Sequence, residues 1–587
     1  MAQTYLENMA VETRRRKFEL LRAQLELERS SFLTHWRELA QFVIPRRARF
    51  TVTDVNRGDQ RNSSIMNSTA GLALRTCKSG MMGGITSPAR PWFRLTTDDP
   101  DLNDKSSVKL WLDQVTQRII TIFLKSNLYN VLPIVYGDMA QFGTSAVMVE
   151  EDFDEVVRYY PFPIGTYMLG TDHKGRVNVF IRDFRMTVKQ LIEKWGDADP
   201  KTGEPDWSKF SSMVKNLWEN DQREVWVDIC HVIMPNDQYY KERLESKFKK
   251  FVSVYYERGS AGPGSNNFIG PEDDRFLSEK GYDYFPVLAP RWEVAAEDAY
   301  GTSCPGMDAI GDVKQLQLLE RRIMQAVDKM VNPPMTAPTS MRNHSVTSLP
   351  GGVTYLDVRD GQQSFKPAYE VKFSIEEAEQ KCEQIIKRIQ RAYYEDLFLL
   401  ISNIENDVTA TEVNEKKEEK LLVLGPVLEQ LNQDLLDPNI DIVFEISMKQ
   451  GKFPHTPKEL HGIPLKIEYL SIMAQAQKVA GISGVDRYVQ FIANNAEVLP
   501  EMIDKIDPDA LANAYADMTS VPPQINRSDE VVAQIRQQKA KVQQQQQQAE
   551  LNNQQSQTAK NLSQSDLNGN NALAQLLPKG YSGDGQT

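Results

Sequence analysis

The strongest constraint on the fold lies in residues 312–436, where two long helical patterns bracket a short insert rich in Pro and Gly. The first starts at Asp312 and runs through Val313, Leu316, Leu319, Ile323, Val327 and Met330, the spacing of one apolar helix face. Asp312 suits an N-cap. Pro333-Pro334 stops the helix, because proline lacks the N–H and restricts the residue before it. The second pattern opens at Ser374, with Glu377 three residues on as a capping box. Its apolar positions are Ile375, Ala378, Cys382, Ile385, Ile389, Ala392 and Leu399, and only Asp396 breaks the stripe. At roughly 1.5 Å per residue this helix, 374–402, is about 43 Å long. Such a long helix with so narrow a stripe must be covered by neighbours. A long helical hairpin with a small knot of chain at its tip suits a ring of subunits lining an axis.

A chain of 587 residues is too long for one core, and roughly two to four domains are expected. Residues 7–43 read as one or two amphipathic helices ending at Pro45, and 63–82 as a helix leading to Gly83-Gly84. Two clear helices follow over 106–125 and 128–142, the second ending at Gly143. From 145 to 300 short or alternating patterns such as Val225, Val227, Ile229 and Phe251–Tyr256 predict a mainly antiparallel β unit. Within it Thr187 and Gln190 cap a short helix, and Gly259–Gly270 is a loop. Thr409 and Glu412 form a further capping box and open a helix to about 436, with a kink or break at Gly425-Pro426. Residues 439–447 read as a strand and 464–518 as a small helical domain. Ser528 caps a last polar helix running into Gln543–Gln548. Disorder is the preferred reading of that tract and of the Asn/Gln/Ser-rich tail, which has too little apolar area to offset its ordering entropy.

No catalytic constellation emerges. Gly71-Leu-Ala-Leu-Arg-Thr-Cys-Lys-Ser79 has Cys77 where a phosphate loop needs Gly, so the nest of backbone N–H groups is lost. Gly301-Thr-Ser-Cys-Pro-Gly306 has Pro305 where a nucleophile elbow needs Gly. Of the six histidines only His455 and His461 lie close together, flanking a Pro-rich turn, and they read as solvated. The pairs Asp98-Asp99 and Asp273-Asp274 sit in polar loops as solvated charges. Four widely spaced cysteines without a CxxC pattern fit a reducing compartment rather than disulfides. The basic start is no signal peptide, and no apolar run reaches the ~18 residues that span a bilayer. Arg46, Arg47 and Arg49 beside Phe50 suit a solvated basic turn with inter-subunit ion pairs, or else contact with nucleic acid or an anionic partner surface. Trp92-Phe93 reads as a core or interface anchor.

The run Tyr300-Gly-Thr-Ser-Cys-Pro-Gly-Met-Asp-Ala-Ile310, then Asn332-Pro-Pro334, then Asp407-Val-Thr-Ala-Thr-Glu-Val413, resembles the head-to-tail connector (portal) proteins of short-tailed bacteriophages. Phe42-Val-Ile-Pro-Arg-Arg-Ala-Arg-Phe50, Gly84-Ile-Thr-Ser-Pro-Ala-Arg-Pro-Trp-Phe-Arg94 and Leu424-Gly-Pro-Val427 extend the match in order over about residues 40–440. Each motif is short, and their ordered conjunction carries the resemblance. Cys304 within the Tyr-Gly-Thr-Ser…Pro-Gly-Met-Asp stretch departs from the pattern.

The resemblance implies an α+β portal fold. The expected order is an α/β wing over 1–310, a first stem helix over 311–331, a clip over 332–373 and a second stem helix over 374–402. A tunnel loop over 403–410, a kinked wing helix and strand over 411–447, a helical crown over 448–520 and a tail over 521–587 complete it. It further implies a dodecameric ring at one capsid vertex, assembled in the host bacterial cytoplasm. Double-stranded DNA passes through it non-specifically, driven by a separate terminase. Tail or adaptor proteins, the major capsid protein and scaffolding protein are the other partners, and no cofactor, metal, membrane or enzymatic activity is implied. Asn403, Glu405, Asn406, Asp407 and Thr409 are the tunnel-loop candidates, and Arg342, Asn343, His344, Val353 and Tyr355 the clip docking candidates. Lys381, Lys387, Arg388 and Arg391 lie off the second stem helix's apolar stripe. They suit contact with DNA in the channel, or structural pairing, with Glu377–Lys381 and Glu383–Lys387 as favourable pairs. The net charge of −12 argues against a sequence-specific DNA binder and leaves room for a passage that DNA slides through. The alternatives are another ring-forming virion structural protein or a DNA-packaging enzyme.

Overall fold

The computed structural model describes residues 14–47, 63–103, 105–197, 204–243, 245–258, 275–295, 298–333, 335–336, 366–367, 374–402, 424–460, 462–470 and 529–564, with isolated positions between 488 and 511. The chain forms two compact units, 1–98 with 110–506 and 99–109 with 507–587. Its elements, in chain order, make a mixed α+β protein. Helices α1 (Arg14–Phe42) and α2 (Thr69–Ile85) precede strand β1 (Phe93–Thr97), and α3 (Ser106–Lys125) and α4 (Leu128–Phe142) follow it. Next come β2 (Ala146–Asp152), β3 (Val156–Phe162), β4 (Tyr167–Thr171), β5 (Val177–Thr187), α5 (Val188–Trp195), β6 (Trp226–Pro235), β7 (Phe251–Glu257), β8 (Ser278–Tyr282) and β9 (Val287–Leu288). The long α6 (Pro305–Val331) leads to β10 (Met335–Thr336), β11 (Lys366–Pro367), α7 (Ile375–Ala392) and α8 (Glu395–Ser402). The series closes with α9 (Gly425–Leu431), α10 (Asp437–Lys449), β12 (Leu465–Tyr469) and α11 (Asp529–Gln564).

The antiparallel β unit expected over 145–300 is present. Strands β4 to β8 form a five-stranded meander, and β3-β2-β9 a three-stranded sheet, all antiparallel. Period-two alternation on β5 to β7 puts Ile181, Cys230, Val232, Val252, Val254 and Tyr256 on one face, where Phe18 and Leu25 of α1 cover them. The α1 stripe is unusual, because Arg15, Arg22 and Arg29 interrupt it every seven residues and are buried. Each reaches a specific acceptor. Arg29 Nη1 donates to the carbonyls of Gly165 (2.9 Å) and Tyr167 (2.8 Å), Arg22 pairs with Glu26 at 2.8 Å, and Arg15 donates to the Glu257 carbonyl. These charge-assisted bonds offset the cost of taking three guanidinium groups out of water.

On the other end of the sheet Val188, Leu191, Ile192 and Trp195 of α5 pack on Val227 and Ile229. The capping box read from Thr187 and Gln190 is formed in both directions. Thr187→Ala removes the Oγ1 acceptor for the Gln190 N–H. It is expected to lower stability by about 1 kcal/mol in urea unfolding, with the slope unchanged.

Elsewhere the structure corrects the sequence reading. The first of the two long helices starts seven residues before Asp312, with Pro305 in its first turn, where a missing N–H costs nothing. The second does not run unbroken over 374–402: α7 ends at Ala392, Tyr394 turns to φ +56°, and α8 restarts at Glu395. No Gly or Pro marks that break, and tertiary contacts impose it. The buried Tyr393 hydroxyl donates to Gln141 Oε1 at 2.8 Å, and the Phe398 ring packs where any Cβ on Gly80 of α2 would stand. Residues 439–447, read as a strand, are helical within α10, and their buried set Asn439, Ile442, Val443 and Ile446 has helical spacing despite its β-branched content. Gly425-Pro426 opens α9, with the residues just before Leu424 outside those described, and a further irregularity falls at a π turn, Asn432–Leu436. Asp434 in that turn forms a two-bonded pair with buried Arg291, at 2.9 and 3.1 Å. The region read as wholly helical from 464 begins with β12, which pairs with β1 from Phe93↔Tyr469 to Thr97↔Leu465. The Gln tract is helical inside α11, which fits the good helix propensity of Gln, Lys, Glu and Ala. Gly259–Gly270 and the capping box at Thr409 lie outside the described residues.

Candidate functional site

The α6–α7 hairpin is the candidate site, and its foot explains the Tyr300–Gly306 motif. Gly143, which ends α4 at φ +79°, meets Gly301 backbone to backbone. A Cβ on either would enter the other's carbonyl oxygen, and one on Gly306 would enter the Gln141 carbonyl. The Trp292 N–H donates to Gly143 O at 2.9 Å, and the Gly301 N–H to Thr144 Oγ1 at 2.7 Å. Tyr300 is buried edge-on against Trp36, and its hydroxyl accepts from the Leu169 N–H at 3.0 Å. The glycines therefore let the chain press the start of α6 onto the end of α4 and the β unit. Burial pushes the Cys304 thiol up to about 12, so this cysteine is an inert core group. All four cysteines are buried free thiols.

Arg47 and Asp138 brace the same region. The guanidinium donates to both carboxylate oxygens, at 2.7 and 2.6 Å, and Asp138 is fully buried on α4. Burial pushes the Asp138 carboxyl up, and Arg47 pulls it part of the way back. Arg47 is thus an intramolecular partner rather than a free cation of a basic turn. Arg46 is exposed, and Arg49 lies outside the described residues. Trp92 and Phe93 are buried, as expected of an anchor.

In the hairpin itself α6 and α7 run antiparallel, since Arg388 meets Asp312 and Gln315 while Cys382 lies by Glu320 farther along α6. Ala378, Cys382, Ile385 and Ile389 of α7 are buried, on the stripe read from sequence. Ser374 Oγ accepts from the Glu377 N–H at 3.4 Å. The four basic candidates separate. Arg388 forms a 2.9 Å pair with Asp312 and braces the two helices. Lys381, Lys387 and Arg391 are exposed, and neither Glu377–Lys381 nor Glu383–Lys387 closes to an ion pair within 4.0 Å. On α6, Val313 and Leu316 are buried, but toward the tip Met324, Val327, Met330 and Val331 stand exposed, Val331 at 80%. Beyond the helices Met335↔Pro367 and Thr336↔Lys366 pair antiparallel. Arg342, Asn343, His344, Val353, Tyr355, Asn403, Glu405, Asn406, Asp407 and Thr409 lie outside the described residues. Among the described residues no group of His, Cys, Asp or Glu could hold a metal ion, and no single helix is long and apolar enough to cross a membrane.

With this geometry in place, residues 15–526 match the model of the bacteriophage head to tail connecting protein family. The chain belongs to this family. Among curated relatives, the portal protein of Salmonella phage epsilon15 is 45% identical over 520 residues, covering 88% of this chain and 90% of that protein. The probable portal protein of Bordetella phage BPP-1 is 38% identical over 537 residues, covering 91% and 93%. The connector family match spans the β unit, both hairpin helices and the π turn. It therefore includes the arginine stripe of α1 and the Arg291–Asp434 pair, neither of which the sequence reading singled out. The seven-residue spacing of Arg15, Arg22 and Arg29 was the available signal for the first. Nothing local signalled the second.

Proposed function

We propose that copies of this chain form a dodecameric ring at a unique capsid vertex, a portal through which double-stranded DNA enters during packaging and leaves at ejection. The observation that carries this reading is the tip half of α6, where Met324, Val327, Met330 and Val331 expose an apolar face on a helix whose base is buried. A neighbouring hairpin placed around an axis covers such a face. The exposed cations Lys381, Lys387 and Arg391 on α7 then suit loose, non-specific contact with a DNA backbone in the channel. Residues 332–373 act as the clip, with Arg342, Asn343 and His344 meeting the terminase large subunit and tail or adaptor proteins, and Val353 and Tyr355 holding neighbouring copies. Residues 403–410 act as the tunnel loop. The chain is a conduit and docking platform in the virion, contacting major capsid and scaffolding proteins, and the packaging motor supplies the ATP chemistry.

Sedimentation velocity tests the ring directly. Wild type is expected to sediment as a single large species, and Val327→Asp with Met330→Asp as monomer or small oligomers with native helicity. A wild type that stays monomeric from micromolar to tens of micromolar concentrations overturns the reading.

A further inference from the structure

The α6–α7 hairpin carries two charged lines on different sides. On α6 the side turned toward α7 holds Leu316 and Glu320, the latter beside Cys382. Leu318, Arg322, Gln325 and Lys329 follow Leu316, Glu320, Ile323 and Val327 by two residues each, about 200° round the helix. They form a line on the side away from α7, and all four are exposed. Arg321 stands beside this line and Asp328 at its margin. On α7 Glu379, Glu383 and Ile386 follow the buried Ala378, Cys382 and Ile385 by one residue each, about 100° round, and Glu376 continues that line toward the tip. Its three carboxylates are exposed, and Ile386 is half-buried.

Neither line is neutralised within the chain. Among the described residues Arg321, Arg322 and Lys329 have no carboxylate within 4.0 Å, and Glu376, Glu379 and Glu383 no cation. Arg322 Nη1 donates only to Gln325 Oε1, at 3.3 Å on its own line. Of the other charges in this stretch, Glu320 accepts from Asn67 Nδ2 at 2.9 Å, and Glu377 and Lys381 lie together on the opposite flank of α7. The two lines also match in height. Arg388 meets Asp312 and Gln315, and Cys382 lies by Glu320, so Glu383, Glu379 and Glu376 stand level with Leu319, Ile323 and Ala326. Arg322 falls between the first two of these levels and Lys329 just beyond the third. Leu318, 55% exposed, falls between the levels of Ile386 and Glu383.

We infer that the α6 line of one copy lies against the α7 line of the next, with Arg322 facing Glu379 and Glu383, Lys329 facing Glu376, and Leu318 packing toward Ile386. A second copy is the occupant because the two lines are opposite in charge, are turned to different sides of one hairpin, and stand at one height. Equivalent residues of neighbours in a ring also stand at one height, so the lines meet there without a shift. Exposed ion pairs contribute little each, so the lines fix height and partner rather than strength. The inference rests on the ring reading above and adds the register between neighbouring hairpins.

Two variants test it. Arg322→Glu with Lys329→Glu makes both lines acidic, and Glu376→Lys with Glu379→Arg and Glu383→Lys makes both basic. Each alone should raise the concentration for half-assembly about tenfold or more, with helicity unchanged, because like charges then face each other. Mixed in equal amounts, the two should assemble as wild type does. Copies alternating around a dodecamer pair acid with base at every contact, which no repair within one chain can imitate. Sedimentation velocity and negative-stain images follow the rings. Variants that assemble like wild type on their own overturn the pairing and leave the ring standing, the result expected if the cations face DNA instead. Variants that fail alone and stay apart when mixed also overturn it. A wild type that forms no ring removes both readings.

Discussion

Gly301→Ala is expected to abolish soluble protein that can assemble. The added Cβ would enter the Gly143 carbonyl oxygen on one side and come within 2.9 Å of the Trp292 backbone nitrogen on the other. Both obstacles are main chain, and the Trp292 N–H is itself bonded to Gly143 O, so neither yields by a rotamer change. Overpacking a core typically costs about 1–3 kcal/mol when side chains adjust. Here the backbone must move, and a loss above ~3 kcal/mol is expected, a large part of the ~5–15 kcal/mol that holds a domain folded. Gly311→Ala is the control. It sits inside α6 with open space around its Cβ position, and a gain of roughly 0.5–1 kcal/mol is expected there. Soluble yield and urea unfolding of the two variants measure the contrast. A Gly301→Ala loss under about 1 kcal/mol would show that the α4–α6 junction can part.

Arg47→Ala is expected to be nearly as damaging, by a different route. It leaves the fully buried Asp138 carboxylate without its two-bonded partner, and breaking a buried pair in this way costs about 3–5 kcal/mol. The sign with pH is fixed by the direction of the Asp138 shift. Burial already raises that carboxyl above its unfolded value, and removing Arg47 raises it further, so the folded state holds the proton more tightly than the unfolded chain does. Stability of the variant therefore falls as pH rises from about 4, the unfolded carboxyl value, up to the raised folded value. The deficit against wild type is largest at neutral pH and shrinks toward pH 4. Arg47→Ala with Asp138→Asn should recover part of the loss at neutral pH. Unfolding curves at several pH values check this, and a deficit that does not change with pH would mean that Asp138 is not the group left stranded.

Much of the hairpin was legible because its signal is local. The α7 stripe Ala378, Cys382, Ile385 and Ile389 repeats at helical spacing, and the same four residues are buried. The β unit was legible for the same reason, from alternation on β6 and β7. What could not be read depends on groups distant in sequence. The break at Tyr393-Tyr394 follows from Gln141 and Gly80, which nothing near residue 393 announces. The run 439–447 has strand composition, and its helical form is decided by what Ile442, Val443 and Ile446 bury. Among the site residues, Arg388 turned out to brace Asp312 because α6 begins at Pro305 and carries Asp312 into its interior rather than onto its cap. The distinction between a pairing cation and a free one is a matter of helix register and partner, neither of which spacing alone supplies.

The pairing of β1 with β12 sets a condition on synthesis. Phe93 waits for Tyr469, and the Trp92 carbonyl for the Leu470 N–H, so β1, which precedes the β unit, has no partner until almost the whole first unit has left the ribosome. A product stopped before residue 465 keeps an open strand edge, the kind of edge that invites aggregation. A lesion at the far end of the first unit is therefore also a lesion near its beginning, because residues 93–97 and 465–469 are one sheet.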